Sequence, residues 1–337
     1  MKFSVGYQLR DDELLLSAIK ENSDKIAELY FSWEDLPNGR NSIYSAKFNR
    51  YDARKKQESD LEELSAYNLS YNLLLNGNCY GKYAQSRTFF NKIGDTVEYL
   101  TDKFNLKSVT TTSPLIAKFL KQNFPLIEVR ASVNMGIENT VGMDYVSEYF
   151  DSYYLKREYN RNISKIKEAR AWCDEHGKKL YGLANSGCLN FCSAHTFHDN
   201  LVAHEQEISE MDNAYVFEGQ CNRYLNNKEN LKNWLRITNF IRPEDIGLYE
   251  DYFDGIKLAT RMNSNPKKII NAYCSGNFKG AVSDLLEPNH SGLFYPRIVE
   301  NKKFPDNFAT TVLNCDKNCN NCSFCNSVLE NCLVSLE

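Results

Sequence analysis

The chain alternates between short runs of apolar, β-branched and aromatic residues and longer stretches whose apolar positions recur at helical spacing. The short runs predict strands over 3–8 (FSVGYQ), 26–33 (IAELYFSW), 71–77 (YNLLLNG) and 108–113 (SVTTTS). Three more follow over 126–133 (LIEVRASV), 152–159 (SYYLKREY) and 178–185 (KKLYGLAN). Between them lie amphipathic stretches such as DDELLLSAIKEN, SRTFFNKIGDTVEYLTDKF and SPLIAKFLKQNF. In ISKIKEARAWCDEHGKK, Ile163, Ile166, Ala169 and Trp172 line one helical face, and Gly177 gives a stop. TTTSP (110–114) reads as a helix cap with proline just inside, whose hydroxyls could meet an anion.

After Ser186 the rhythm breaks into a Cys/His-rich connection, then resumes with LRITNFIRPED (235–245) and GIKLAT (255–260). Seven or eight βα repeats in this length predict a (β/α)8 TIM-type barrel. An open doubly wound sheet would normally carry a glycine-rich nucleotide turn after its first strand, and SVGYQLRDD has none. Periodicity fades from about residue 301. The expected organisation is therefore a barrel over 1–300 and a Cys-rich, metal- or cluster-binding tail over 301–337.

Composition changes this picture little until cysteine is considered. Forty basic residues against 44 acidic ones argue against a general DNA-binding surface. No apolar run approaches the roughly 20 residues that span a bilayer, and the charged N-terminus lacks a signal-peptide core. A cytoplasmic, reducing location is the expectation, with no membrane partner. Eleven cysteines in such a compartment suggest metal more than disulfides.

Two groups of cysteine carry the candidate chemistry. Cys188 and Cys192 follow the seventh predicted strand directly, with His195, His198 and His204 behind them. In a barrel, that position is the catalytic face. An iron–sulfur cluster, a zinc site and a purely structural loop all fit this segment. Cys221 is a candidate third ligand. In the tail, Cys319, Cys322 and Cys325 form C-x2-C-x2-C, a spacing that offers three thiolates to one 4Fe–4S cluster. A fourth ligand would come from Cys315, Cys332 or elsewhere, and zinc is the alternative occupant. Cys315-x3-Cys319-x2-Cys322 also has the spacing of radical S-adenosylmethionine enzymes, but Asn321 stands where those enzymes carry an aromatic residue. Cys173 and Cys274 lie in helical patterns and read as buried small hydrophobes, and Cys79 reads more readily as structural than as a ligand. Among polar groups at strand ends, Glu158 and His198 are candidate proton carriers, and Arg157 and Arg261 candidate anchors for an anionic group.

SYYLKREYNRNISKIKEA, LYGLANSGCLNFC and IRPEDIGLYEDYFDGIKLATRMNSNPKKIINAYCSGNF together resemble the collagenase-like peptidase family U-32. The correspondence runs from about residue 3 to 288, with Ala259-Thr260 in place of the family's usual acidic-Gly pair. The resemblance implies a barrel carrying an oxygen-sensitive 4Fe–4S cluster, with Cys188 and Cys192 matching cluster cysteines and Cys221 matching one loosely. It also implies oxygen-independent, hydroxylation-type oxidoreductase chemistry on a small molecule, a peptide or an RNA base. One or two clusters are expected, the tail thiols serving a second or completing the first. A peptidase or other hydrolase, an electron-transfer or scaffold partner of another enzyme, and an atypical radical enzyme remain alternatives.

Overall fold

A computed structural model describes residues 1–34, 36–39 and 48–336. Eight parallel strands close on themselves in sequence order: β1 (Phe3–Gly6), β2 (Ile26–Phe31), β3 (Ser70–Leu75), β4 (Leu106–Thr111), β5 (Glu128–Ala131), β6 (Ser152–Tyr154), β7 (Lys179–Leu183) and β8 (Gly255–Leu258). β8 returns to β1 with Phe3 opposite Ile256 and Val5 opposite Leu258, which completes the (β/α)8 barrel. All seven strands predicted before residue 186 are present at their expected places.

The helices follow from local chemistry. Ser113 caps the helix Pro114–Asn123 by accepting from the Ile116 amide at 3.2 Å, with proline at its first turn. Its threonine neighbours bond other protein groups, Thr110 to Asn72 Oδ1, Thr111 to the Ser113 amide and Thr112 to the Gly77 carbonyl. Those bonds take up hydroxyls that the sequence offered to an anion. Asn162 caps the helix Ile163–Glu175, which buries Ile166, Ala169 and Trp172 and ends before Gly177 at φ +62°.

LRITNFIRPED forms no strand. It makes a helical turn at Trp234–Ile237 and a 3-10 turn at Pro243–Tyr249. Pro243 cannot donate to a ladder, and the Arg242 guanidinium clamps Asp245 through two bonds of 2.8 Å, which closes the turn. The eighth strand comes from GIKL instead.

The barrel interior carries a polar layer. Arg130 donates to Glu28 at 2.9 Å and to Glu128 at 2.8 Å, and its guanidinium lies 3.9 Å from the Tyr181 ring centroid. Asn72 and Ser108 also donate to Glu28, and Thr110 donates to Asn72. Five consecutive strands, β2 to β6, are thereby tied through buried, hydrogen-bonded groups.

The tail is built into the protein. An antiparallel pair, β9 (Arg297–Val299) with β10 (Leu333–Ser335), and the helices Phe308–Leu313 and Phe324–Cys332 enclose a second apolar core. Trp234, Phe240, Phe294, Phe308, Leu329 and Cys332 are among its members, so this core draws on residues either side of position 300. Arg161, fully buried beside the barrel, joins the two parts. It donates to the carbonyls of Leu235, Thr238 and Phe240 and stacks over Phe240 and Phe308. No helix among the described residues is long and apolar enough to cross a membrane.

Candidate active site at the barrel mouth

The C-terminal ends of β7 and β8 set the main site. Beyond Leu183, the buried Asn185 donates to the carbonyls of Ala259 and Leu285 at 2.8 Å and accepts from the Ala259 amide at 2.6 Å. These bonds lock the loop leaving β7 to the end of β8. At Gly187 a side chain has no room, because a Cβ there would stand 2.1 Å from the Pro288 carbonyl oxygen. Cys188 then emerges at a fixed point.

A cleft of about 340 Å³ opens there, and Cys188, Cys192 and Cys221 all line it. Arg157 Nη1 donates to Cys188 Sγ at 3.4 Å, while Nη2 is held by Asn134 Oδ1 at 2.9 Å. Cys221 lies in the first turn of the helix Gln220–Leu225, just after Gly219 at a φ of +74°. No strand precedes Cys221. Burial pushes its thiol up, and the neighbouring Cys188 and Cys192 add to the shift, so the three sulfurs share one electrostatic environment.

Of the other residues singled out, Arg157, His198 and Arg261 line this cleft. Arg261 Nη1 donates to Asn38 at 3.2 Å. Glu158 does not line it: its carboxyl is buried behind the wall, with Oε2 lacking a protein partner, and its carbonyl accepts from Asn239. Its charge still reaches His195, which sits 3.3 Å from Asp199 and does line the cleft. Burial, followed by Arg157, holds the His195 imidazole below its ordinary value, so the ring is neutral at neutral pH.

Sequence reasoning did not single out Lys257, Tyr30 or Glu287, which also line the cleft. Lys257 Nζ stands 3.9 Å from the Tyr30 ring centroid, and Glu287 accepts from the Met262 amide at 3.2 Å. Alternation along GIKLAT could have identified Lys257, whose strand neighbours Ile256 and Leu258 are buried in the surrounding core.

The tail thiols form a group of their own and do not line the mouth cleft. Cys325 is pushed up by burial, lowered by Arg161 and raised by Cys315, Cys319 and Cys322, which places four thiols within mutual influence. Arg161 spends its hydrogen bonds on backbone carbonyls, so its positive charge is available to favour thiolate at Cys325. Lys317 bonds Cys315 and donates to the Val312 carbonyl at 2.9 Å. Cys332 lies in the second core, and Cys173 and Cys274 are buried, both pushed up to about 12 by desolvation.

Among the described residues, no three His, Cys, Asp or Glu side chains close on a point where a single ion would sit. A four-iron cluster binds each thiolate at a separate iron and so accepts a wider set. Three soft donors, one of them bonded to Arg157, and four more, one of them under the charge of Arg161, fit such a group in kind and charge.

No family model matches the chain. An uncharacterized protease of Methanocaldococcus jannaschii is 25% identical over 319 residues, covering 91% of this chain and 88% of the relative. The structure of the U32 peptidase Mk0906 superposes with a TM-score of 0.54 at 13% identity, covering 76% of this chain and 91% of that one. The resemblance to the U32 peptidase family is thus borne out, by a relative along nine-tenths of the chain and by a shared barrel fold.

Proposed function

We propose that the barrel mouth holds an iron–sulfur cluster on Cys188, Cys192 and Cys221, and that the protein carries out an oxygen-independent redox modification, hydroxylation in type, of a small organic, peptide or RNA-base substrate. One observation carries this reading: three thiols from two separate segments meet in one cleft at the end of the barrel where catalytic residues collect. When bound, such a cluster supplies electron transfer beside the substrate.

The chain's own groups supply the rest. Arg157 orients Cys188 and offsets the negative charge of the thiolates. Lys257 and Arg261 present cations to the cleft beside the Tyr30 ring, suited to holding an anionic group. His195 and His198 are placed to move protons, and a neutral His195 can accept one. Glu158, being behind the wall, acts only through its charge on His195. In the tail, Cys315, Cys319, Cys322 and Cys325 would hold a second cluster.

The test is iron, sulfide and zinc analysis of anaerobically purified Cys188→Ser and Cys322→Ser chains. Two sites predict partial loss of iron and sulfide in each variant. Unchanged iron and sulfide in Cys188→Ser would overturn the mouth assignment.

A further inference from the structure

A second cleft, of about 620 Å³, opens on the same face and shares no lining residue with the first among the described residues. Its floor carries Cys79, which follows β3 and is partly exposed. The Gly81 amide donates to Cys79 Sγ at 3.4 Å, in a turn that needs glycine at φ +50°. His204 lines the same cleft as Cys79, and its Nδ1 lies 2.8 Å from Glu207 Oε2, which leaves Nε2 for the sulfur. The order is therefore thiol, imidazole, carboxylate: a nucleophile, a base and a group that orients the base.

We infer that Cys79, His204 and Glu207 form a nucleophilic acyl-transfer site, acting on a peptide or related amide or ester. The cleft wall supports that substrate class: Leu36, Tyr80, Tyr83 and Phe89 offer an apolar surface for a side chain beside the reacting carbonyl. The charged groups facing the pair are Glu34, Arg50, Lys82, Glu205 and Glu210, besides Glu207 itself. The electrostatics agree with the geometry. His204 holds the Cys79 thiol below its ordinary value, and Cys79 and Glu207 raise His204, the signature of a thiolate–imidazolium pair.

The reaction balances with water as the only co-reactant. The Cys79 sulfur bonds to the carbonyl carbon, the carbon–nitrogen bond breaks, and His204 gives its proton to the departing nitrogen. Water then loses a proton to His204 as its oxygen bonds to the acyl carbon. The sulfur–carbon bond breaks, and the acid leaves with Cys79 again a thiolate. Nothing is oxidised or reduced. This activity is separate from the redox chemistry proposed at the mouth.

The full chain is treated with iodoacetamide across pH and, separately, with p-nitrophenyl acetate. Cys79 should alkylate about 10-fold faster at pH 7 than in His204→Ala, and its midpoint should rise in that variant to the ordinary thiol value of about 8.5. Glu207→Gln should fall between. With the ester, acetyl should appear on Cys79, and Cys79→Ala should lose the turnover. A midpoint unmoved by His204→Ala, no acetyl on Cys79, or equal ester turnover in wild type and Cys79→Ala would overturn the site. Iron and sulfide content reports on the mouth and tail thiols and not on Cys79, so either proposal can fail alone.

Discussion

Arg157 and Cys188 meet across the barrel mouth, guanidinium to sulfur, at 3.4 Å. The arginine comes from the segment after β6 and the cysteine from the loop after β7, so the contact rests on the parallel pairing of these two strands. A cation bonded to a ligand sulfur holds its orientation and supports its charge. Arg157→Met should therefore weaken iron retention about 10-fold, the usual scale for losing an outer partner of a ligand. Iron content after dialysis against a chelator measures this, with the melting temperature as a check on the fold.

Gly187→Ala tests the same loop from its backbone. The added methyl would face the Pro288 carbonyl, which belongs to a segment already bonded to residues 185–187. Overpacking of this kind costs about 1–3 kcal/mol. Thermal denaturation should show that loss, together with reduced iron content.

Arg130 predicts a larger effect. It is fully buried and faces two carboxylates. Desolvation opposes ionisation of Glu128, yet Arg130 and Lys179 still hold that carboxyl down at about 2. Arg130→Met would strand Glu28 and Glu128 and should destabilise the protein by about 3–5 kcal/mol in urea unfolding. The double variant with Glu28→Gln should recover part of the loss.

The second core has its own pH dependence. Trp234 donates its indole N–H to His290 Nδ1 at 3.1 Å, and burial pushes His290 down to about 4. Above about pH 6.5 the imidazole is neutral in both folded and unfolded chains, and this stability is fully present. As pH falls from 6.5 toward 4, only the unfolded chain takes up the proton, and stability declines by up to about 3 kcal/mol. Denaturation at pH 7.5 and pH 5, followed by tryptophan fluorescence, should show the decline, and His290→Asn should flatten it.

The barrel strands were legible because each is a short, two-sided buried run, in YNLLL and SVTT as much as in KLYGL. The helix Arg50–Leu64 was not. It buries Gln57 and Asp60, held by the Ser32 carbonyl and the Tyr7 hydroxyl, so polar residues interrupt its inner face between Ala53 and Leu61. LRITNF resembled a strand because Leu235, Ile237 and Phe240 are apolar, but they serve the second core. That core was invisible for a related reason: its partners come from segments up to about a hundred residues apart. At the site, Cys188 and Cys192 were legible from their place after a strand. Cys79 was not, because its partner His204 lies across the fold and no local spacing joins them.

Binding of iron and sulfide by the clustered thiols is tested most directly by the iron, acid-labile sulfide and zinc content of the wild-type chain purified without oxygen. Iron and sulfide in near-equal amounts, with little zinc, are predicted. Stoichiometric zinc without sulfide would contradict the claim.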